Sequence, residues 1–408
     1  MSGKKNILTE VTFIMKLKEY IEKEKLLLPN YNSLNIVDLV KYLYSKYGVK
    51  CEENDNIEKL KNIIPNKKHT VFILIDGMGS NLINTLDNNS ILKKNKVTDM
   101  ITVSPSSTGC VLTSLATATY PNEHGIIGWY SYNREYNIDY YPLLFCDRKQ
   151  NKSLYDFNIK ANDIFKVNSK LNELNVKTTV LYPNYICDSV YSNYVANNSI
   201  RRAYTTLENA FEQIIEIVSS NEETFTYLYF PNIDNLEHDN GVNSKAVLNE
   251  IHNIEAQLNR LNDDNVVVVI TADHGQTNIT KDIVMNFDKY NKYFYSYPGI
   301  DFGMATYYIK KGMEEEFVKE FTKDYKDKMY LFKTKEFIDN KIFGLSENNM
   351  NILNNLGEYI SLCNSDAQFI NSPEIEEYYG KTKGNHSGLT QDEMIIPLIV
   401  INRKNNVI

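Results

Sequence analysis

Short runs of apolar and β-branched residues, with no polar alternation, recur along this chain of 408 residues. They are Val71–Ile75, Thr178–Tyr182, Thr224–Phe230, Val266–Thr271 and Ile395–Ile401. Such runs are typical of strands that are buried on both faces of a parallel sheet. Because helical stretches separate them, the sequence predicts an α/β fold with a doubly wound, mainly parallel sheet flanked by helices.

The pattern of the remaining segments predicts how the chain is divided. Residues 1–65 are charged and follow a helical pattern, so we interpret them as an N-terminal helical extension. Residues 66–408 would form the main domain. Within it, segments at about residues 130–168 and 281–377 are rich in Tyr, Asn and Lys and fit the alternation of strands and helices less well. We predict that both are insertions that form a cap or one wall of the site.

Charge and composition exclude some classes of function. The net charge of −8 and the pI near 5.5 argue against binding of duplex nucleic acid, which requires clustered Lys and Arg. A small anionic substrate is compatible with them, because bound metal ions would invert the local field. The sequence has neither a signal-peptide core nor a run of transmembrane length, so we expect no membrane association. The 5 cysteines lack paired metal-site spacing, which predicts reduced thiols and a cytoplasmic location, and no pattern indicates an oligomeric state.

Three aspartates follow predicted strands closely. Asp76 comes directly after Ile75, and Asp234 and Asp273 lie within a few residues of the ends of two later runs. An isolated Asp after a strand is more often a turn residue or a helix N-cap than a ligand. In open α/β sheets, however, ligands bind beyond the carboxyl ends of the strands, so three strands would bring a carboxylate to one edge.

The scarce histidines strengthen the interpretation as a metal site. Of 6 in the chain, His238, His274 and His386 fall near these aspartates or in a Gly-flanked loop. Mixed imidazole and carboxylate ligands suit zinc, manganese or iron, and the absence of thiolates argues against a structural zinc finger. Asp234 and His238 are four positions apart, so on a helix they would face the same metal. The sequence predicts a site for two metal ions that transfers a phosphoryl group.

A nucleophile would come from the hydroxyl-rich segment Ser104–Gly109. This segment follows a short apolar run and precedes an apolar helical stretch. A hydroxyl at the start of a helix can cap the helix without any chemistry. Alternatively, it can be a metal-activated alkoxide that faces a phosphate held by the helix amides. Local sequence does not favour either interpretation.

A family resemblance extends from about Val71 to the C-terminus. The matching segments are Ile75–Gly79, Pro105–Thr108, Tyr120–Ile126, Asp234–His238, Thr271–Gly275 and Gly384–Thr390. In order and spacing they resemble the alkaline phosphatase superfamily, specifically its branch of type I phosphodiesterases and nucleotide pyrophosphatases. The resemblance implies an alkaline-phosphatase-like fold with cap insertions.

The same resemblance implies the nucleophile and the ligand sets. In the family, the nucleophilic Thr lies sixteen residues before the His of a His-Gly-Ile element, and counting back from His124 gives Thr108. The implied cofactors are two divalent metal ions, zinc by preference, with manganese as the alternative. One ion would be held by Asp76, Thr108, Asp273 and His274, and the other by Asp234, His238 and His386.

One position departs from the family pattern. Nucleotide pyrophosphatases carry an Asn three residues after the Thr, where it binds a phosphate oxygen, and here that position is Val111. Phosphate stabilisation would then come from the metals, from the Gly109 amide or from another side chain. This departure weakens the expectation of a nucleotide substrate.

Two further side chains near the nucleophile segment, one indole and one imidazole, could have either a structural or a functional role. Trp129 could stack on a nucleobase or a leaving group, or it could pack in the core or the cap. His124 lies in a Gly-rich turn, and we expect it to be a hydrogen-bonded structural residue outside both metal sets.

The sequence therefore predicts a two-metal phosphohydrolase that acts on a small anionic phosphoester. It would cleave phosphodiester or pyrophosphate bonds through a covalent phosphothreonine at Thr108. The same site could instead belong to a phosphomonoesterase, a phosphonate hydrolase or a phosphomutase. A catalytically silent binding module would lack ligands, whereas every expected ligand position is filled here.

Overall fold

The structure is a computed structural model that describes residues 16–326, 328–363, 366–373 and 381–402. The first fifteen residues of the predicted N-terminal extension lie outside the described residues, as do residues 403–408. Residues 327, 364–365 and 374–380, in or next to the second predicted insertion, also lie outside them. In the described part of the chain, no helix is long and apolar enough to cross a membrane.

The described strands form one large sheet and several small ones. In chain order they are β1 His69–Ile75, β2 Lys96–Ile101, β3 Ser131–Asn133, β4 Ile138–Tyr141, β5 Cys146–Asp147, β6 Lys177–Pro183, β7 Ile200–Tyr204, β8 Thr224–Phe230, β9 Val266–Thr271, β10 Thr277–Asn278, β11 Lys281–Val284, β12 Gly299–Ile300, β13 Met304–Tyr307, β14 Met329–Lys333, β15 Tyr359–Cys363, β16 Ala367–Ile370, β17 Gly384–Asn385 and β18 Ile395–Ile401.

Helices connect these strands and cover the large sheet. In chain order they are α1 Leu17–Lys23, α2 Ile36–Ser45, α3 Asp55–Ile63, α4 Ser80–Thr85, α5 Ile91–Lys94, α6 Thr108–Thr117, α7 Pro121–His124, α8 Ala161–Ile164, α9 Val190–Ala196, α10 Leu207–Val218, α11 Asn232–Asn240, α12 Lys245–Leu258, α13 Phe287–Tyr290, α14 Glu314–Tyr325, α15 Thr334–Asp339, α16 Met350–Leu353 and α17 Gln391–Met394.

 Short 3₁₀ helices cover Leu154–Phe157, Lys170–Glu173 and Asn291–Tyr293.

The large sheet confirms the predicted fold class. Its seven strands have the order β2-β18-β9-β1-β8-β6-β7. β1 lies between β8 and β9 and runs parallel to both, and β6 runs parallel to β8 and β7. All five predicted runs are strands of this sheet. The chain therefore has a mainly parallel α/β sheet with helices, as the sequence predicts.

Three features of the sheet differ from the simplest form of that prediction. β18 runs antiparallel to both β9 and β2, because burial on both faces determines an apolar pattern but not a strand direction. The edge strands β2 and β7 were not among the predicted runs. Both carry charged residues, which are common on sheet edges and hide the apolar pattern.

The N-terminal helices pack against the main domain. Residues of α2 and α3 belong to the same apolar cluster as the central strands. The Tyr44 hydroxyl donates to the Leu115 carbonyl at 2.8 Å, and the Tyr47 hydroxyl donates to Thr70 Oγ1 at 2.7 Å. α1 instead packs with residues of the second predicted insertion. The described part of residues 1–65 thus contains three helices, and each of them buries residues against its neighbours.

The two predicted insertions contain small sheets of their own. The first holds the three-stranded sheet β3-β4-β5, and the second holds the four-stranded antiparallel sheet β12-β13-β15-β14. The backbones of Tyr130 and Ile300 join them through two hydrogen bonds of 3.1 and 2.8 Å. This junction places two neighbouring residues beside the carboxyl edge of the large sheet. They are Trp129, which precedes Tyr130, and Asp301, which follows Ile300. The division into domains at residue 65 stays a prediction.

Candidate active site

Three aspartates meet at the carboxyl edge of the large sheet. Asp76 directly follows β1, Asp234 lies in the first turn of α11 after β8, and Asp273 lies just beyond β9. Because β1 pairs with both other strands, their ends are adjacent. The Asp76 amide donates to the Phe230 carbonyl at 2.9 Å, and the Asp234 amide donates to the Asp76 carbonyl at 3.0 Å. The sheet itself therefore brings these carboxylates together.

Gly77 allows this close approach. Its φ of +77° lies in the left-handed region, and a Cβ at this position would be 2.8 Å from the Asp234 Cα. Any other residue would push α11 away from Asp76. The glycine in the Asp-Gly pair is thus explained by the distance between two ligand-bearing segments.

The first predicted ligand set is assembled around His274. Its Nε2 atom lies 3.2 Å from Thr108 Oγ1, 3.5 Å from Asp76 Oδ1 and 3.4 Å from Asp273 Oδ2. Asp76, Asp273 and His274 are buried, and Thr108 is half-buried. The structure brings all four predicted residues within reach of one position.

The second predicted set lies next to the first. Asp234 Oδ2 is 3.4 Å from His238 Nε2, and Asp234 Oδ1 is 3.8 Å from His386 Nε2. The His386 ring also stacks on the His274 ring, with centroids 3.8 Å apart. Ligand atoms of Asp234, His274 and His386 therefore lie within 4.8 Å of one another, as do those of Asp76, Asp273 and His274. By distance, His274 fits either group.

A short strand pairing delivers His386. β17 pairs antiparallel with β10, which follows the Asp273–His274 turn, and Asn385 lies opposite Thr277. The loop that carries the nucleophile is fixed to the same segment, because the Ser106 hydroxyl donates to the Gly388 carbonyl at 3.0 Å. Residues far apart in the chain are thus held at one place by backbone contacts.

The hydrogen bonds of the three histidines fix which ring nitrogen faces the site. Nδ1 lies 2.9 Å from the Gly384 carbonyl in His238, 3.2 Å from the Gly275 carbonyl in His274, and 2.8 Å from the Ser106 carbonyl in His386. A carbonyl only accepts, so Nδ1 must carry the proton. In the neutral rings the Nε2 lone pairs then point toward the carboxylates, which is the arrangement of metal-binding histidines.

The carboxylate oxygens that lie near His274 have no hydrogen-bond partner among the described residues. They are Asp76 Oδ1 and Asp273 Oδ2, and both are buried. The other oxygen of each carboxylate accepts hydrogen bonds. Asp76 Oδ2 accepts from the Tyr229 hydroxyl at 2.5 Å, and Asp273 Oδ1 accepts from the amides of Gly77 and His274. Because an unpaired buried carboxylate is costly, these atoms fit a divalent cation.

The electrostatics of the carboxylates support the same conclusion. Burial, together with the neighbouring Asp273 and Asp234, raises the pKa of Asp76 well above its usual value. Burial is also the largest influence on Asp273, whose pKa rises to about 6. Positive charge at this position would relieve both effects. The donor set therefore suits a metal ion.

The histidines divide into two groups by charge. Burial lowers the pKa of His274 to about 4 and that of His386 to about 3, so both are neutral near pH 7 and able to bind a metal. Burial also opposes charge on His238, but the charge of Asp234 and the Gly384 carbonyl outweigh it and raise its pKa to about 9. The Asp234 carboxylate, 3.4 Å away, therefore favours the charged form of the His238 ring.

The structure answers the question of helix capping at the nucleophile segment. Ser107 is the N-cap residue of α6, but its side chain makes no capping bond and donates to Asp301 Oδ2 at 3.0 Å instead. The Thr108 hydroxyl faces His274. Neither hydroxyl therefore caps the helix, and the role of Thr108 as a nucleophile stays a prediction.

The remaining residues of the nucleophile region occupy different environments. Val111 is fully buried in the main apolar cluster, so it does not face the site. Gly109 is the second residue of α6, and a Cβ added to it would lie 3.4 Å from Leu143. Trp129 is half-buried, packs edge-on against Tyr141 and also lines the cavity described next. Its packing against Tyr141 fits the structural interpretation, and stacking on a nucleobase or leaving group stays a prediction.

A cavity of about 400 Å³ opens beside the Asp–His cluster. Its lining includes the polar residues Thr108, Asp76, Asp234, His238 and His386. The lining also includes many apolar or aromatic residues, namely Leu112, Trp129, Tyr130, Leu143, Leu144, Tyr182, Tyr185, Ile186, Tyr191, Tyr229 and Phe302. A molecule with an apolar or aromatic group next to a phosphate would fit this combination.

The sequence did not predict Tyr229, Gln276 or Asp301 as site residues. Tyr229 donates to Asp76, and Gln276 Nε2 donates to Asp234 Oδ1 at 2.6 Å. Asp301 is buried, and burial raises its pKa to about 7 against the effects of Ser107 and His238. Tyr229 is hidden in an apolar strand, and Asp301 follows no predicted strand, so neither carried a signal. For Gln276, the only signal in the sequence was its position two residues after His274.

Replacing Tyr229 with phenylalanine should weaken metal binding without unfolding the protein. The hydroxyl orients Asp76, and loss of such a contact costs about 10- to 100-fold in metal affinity. Chelator competition measures this affinity. Tyr227→Phe is the matched control, because Tyr227 lies on the same strand and stacks on Phe72. Equal affinities in the two variants would contradict the orienting role of Tyr229.

His124 has the structural role expected from the sequence. It is buried, its Nδ1 accepts from the Ile126 amide at 3.1 Å, and its Nε2 lies 2.9 Å from the Ser114 hydroxyl. These contacts occupy both ring nitrogens, so His124 belongs to neither ligand set. Burial lowers its pKa to about 3.

This burial predicts a pH-dependent contribution to stability. The unfolded chain takes up a proton on His124 near its ordinary pKa of 6.5, whereas the folded chain does not, so acidification favours unfolding. The stability advantage of the wild type over His124→Asn should therefore shrink by about 2 kcal/mol between pH 6.5 and about pH 5. Urea unfolding at both pH values measures it. A constant difference would show that His124 is protonated in the fold.

Comparison with known proteins identifies the family. The model of the family "type I phosphodiesterase / nucleotide pyrophosphatase" matches residues 70–296, which is more than half of the chain. The chain belongs to this family of metal-dependent hydrolases, which act on phosphodiester and pyrophosphate bonds. A search of curated proteins gave no match.

Solved structures share the fold. Murine ectonucleotide pyrophosphatase/phosphodiesterase 5 has a TM-score of 0.62 and 16% identity, over 82% of this chain and 87% of that one. An inactive variant of the murine protein in complex with AMP gives the same values. The human protein has a TM-score of 0.61 and 17% identity over the same shares of each chain. At this identity, the similarity establishes the architecture.

Proposed function

We propose that this protein is a two-metal phosphohydrolase that cleaves phosphodiester or pyrophosphate bonds through a covalent phosphothreonine at Thr108. One observation carries the proposal. The Nε2 atom of His274 and the unpaired oxygens of Asp76 and Asp273 converge beside the Thr108 hydroxyl. This is the environment in which a metal-activated hydroxyl would act as a nucleophile.

The proposed ligands are divided between two ions. Asp76, Thr108, Asp273 and His274 would hold one, and a second set would hold the other, namely Asp234, His238 and His386. Nitrogen and oxygen ligands without thiolate favour zinc, and manganese is the alternative. When bound, the cations would lower the pKa of the attacking hydroxyl and neutralise charge on the phosphoryl group.

The chain's own residues account for the covalent steps. Thr108 Oγ1 forms a bond to phosphorus, while the bond from phosphorus to the leaving alcohol or phosphate breaks. Water then attacks the phosphothreonine, and the bond between phosphorus and Thr108 breaks. Thr108 begins α6, so the amides of Gly109 and the following residues point toward the bound phosphate at the positive end of the helix. We propose that the Gly109 amide takes the place of the expected Asn, since Val111 faces the core.

The apolar and aromatic residues that line the cavity favour a substrate that carries an apolar or aromatic group. Trp129 and Tyr185 offer ring faces or edges there, and Tyr185 is 71% exposed at the cavity. A nucleobase is one such group, and the AMP complex of the inactive murine relative supports a nucleotide. An aryl ester would meet the same surfaces. We retain a cytoplasmic location as part of the proposal.

A turnover screen tests the proposal. The zinc-loaded protein should hydrolyse phosphodiesters or pyrophosphates, and removal of the metal by a chelator should abolish turnover until zinc or manganese is restored. Phosphomonoesters, phosphonates and mutase substrates in the same screen separate the alternative functions. Absence of diester and pyrophosphate hydrolysis by the loaded protein, or full activity after stripping, would contradict the proposal.

A further inference from the structure

Asp301 is a carboxylate of the cavity that neither ligand set uses. It lines the cavity together with Thr108, His238 and His386, and it is only 3% exposed. It belongs to neither group of candidate metal ligands. It comes from the second insertion rather than from the large sheet, so its presence is a property of the cap.

The position of this carboxylate is fixed. The Ser107 hydroxyl donates to Asp301 Oδ2 at 3.0 Å, and the backbone of Phe302 also hydrogen-bonds to the carboxyl group. The paired backbones of Tyr130 and Ile300 hold the preceding residue against the first insertion. Ser107 directly precedes Thr108, so the carboxylate lies one side chain away from the residue that would carry the phosphoryl group.

The cavity around Asp301 offers little positive charge from the protein itself. Among the described residues, its lining includes no Lys or Arg. The His238 ring is already paired with Asp234, with Nε2 3.4 Å from Oδ2. Apart from bound metal ions, a substrate would therefore meet the negative charge of Asp301 with no Lys or Arg to compensate it. Charge–charge repulsion is strong in a buried site, because water screens it poorly.

We propose that Asp301 selects phosphodiesters over phosphomonoesters, an inference that rests on the proposed hydrolase function. A diester phosphate carries one negative charge, whereas a monoester carries close to two at neutral pH. The ionised carboxylate accepts hydrogen bonds only, so it cannot donate to the additional oxygen of a monoester. Repulsion from Asp301 therefore raises the barrier for the monoester more than for the diester.

A matched pair of substrates measures this selection. Methyl p-nitrophenyl phosphate and p-nitrophenyl phosphate share a leaving group and differ in charge by about one unit. We expect Asp301→Asn to raise the kcat/KM of the monoester relative to the diester by about tenfold at a pH above the pKa of Asp301. Asn retains an oxygen that can accept from Ser107. Asp301→Ser is a second neutral variant, and Asp301→Glu, which keeps the charge, should preserve the wild-type ratio.

Controls separate selection from a structural role. Ser107→Ala removes the hydrogen bond but leaves the charge, so the ratio should stay as in the wild type even if both rates fall. Metal content is measured in each variant. An unchanged ratio in both neutral variants, or loss of a metal ion from them, would overturn the role of Asp301. If the wild type hydrolyses neither substrate nor any other phosphodiester, the proposed function fails, and this inference fails with it.

Discussion

Replacing Thr108 with alanine should abolish phosphodiester hydrolysis while most of the bound zinc remains. Among the described residues, Thr108 supplies the hydroxyl that contacts His274, so we expect no other side chain to replace it efficiently. Removal of a nucleophile typically costs several orders of magnitude, and we expect turnover to fall at least about 10³-fold. Asp76, Asp273 and His274 would still bind the metal. Steady-state kinetics and zinc content of the same sample measure both effects.

Ser107→Ala is the matched control for this substitution. Its hydroxyl is adjacent in sequence but points to Asp301, so its loss should reduce turnover far less than the loss of Thr108. Acid quenching during turnover, followed by mass spectrometry, should find phosphate on the peptide that contains Thr108 in the wild type alone. Undiminished turnover in Thr108→Ala would remove this residue from the mechanism.

Replacing His386 with alanine should release one metal ion and leave the other. His386 Nε2 faces Asp234 in the second set, and its ring stacks on that of His274 in the first set. Its loss leaves the second set with Asp234 and His238 only, whereas the first set stays complete. We expect about one equivalent of zinc per chain. Turnover should fall on the order of 10²-fold or more, because a single ion cannot stabilise both the attacking and the leaving oxygen.

Elemental analysis after dialysis against a weak chelator measures the retained zinc. His124→Asn is the control, because His124 is a buried histidine outside both sets and its loss should leave two equivalents in place. If His386→Ala also retained two ions, the assignment of His386 as a ligand would be wrong. If it lost both ions, the two sets would not be independent.

Much of the central sheet could be predicted from the sequence, because burial on both faces leaves a simple pattern. β1, β8 and β9 are buried at every position, and their apolar runs predicted them closely. β2 and β7 lie at the edges, where exposure replaces apolar residues with charged ones. The direction of β18 depends on its connections and partners, so its apolar run did not contain that information.

The site was predictable to the extent that strand ends and motifs mark it. Asp76, Asp234 and Asp273 follow from the strands, and the resemblance added Thr108 and the division of ligands. Contacts that support these residues arise only in the folded chain. In the sequence, Tyr229 is indistinguishable from a core residue, and only the fold shows that its hydroxyl contacts Asp76. Asp301 reaches the cavity from the second predicted insertion, whose sequence has no repeating pattern.

Anomalous diffraction at the zinc edge, from crystals of the zinc-loaded protein, tests the central claim most directly. The two-metal account predicts two peaks. One should be bound by Asp76, Thr108, Asp273 and His274, and the other by a second set consisting of Asp234, His238 and His386. A single peak shared by Asp234, His274 and His386, the grouping that distance alone also allows, would contradict it.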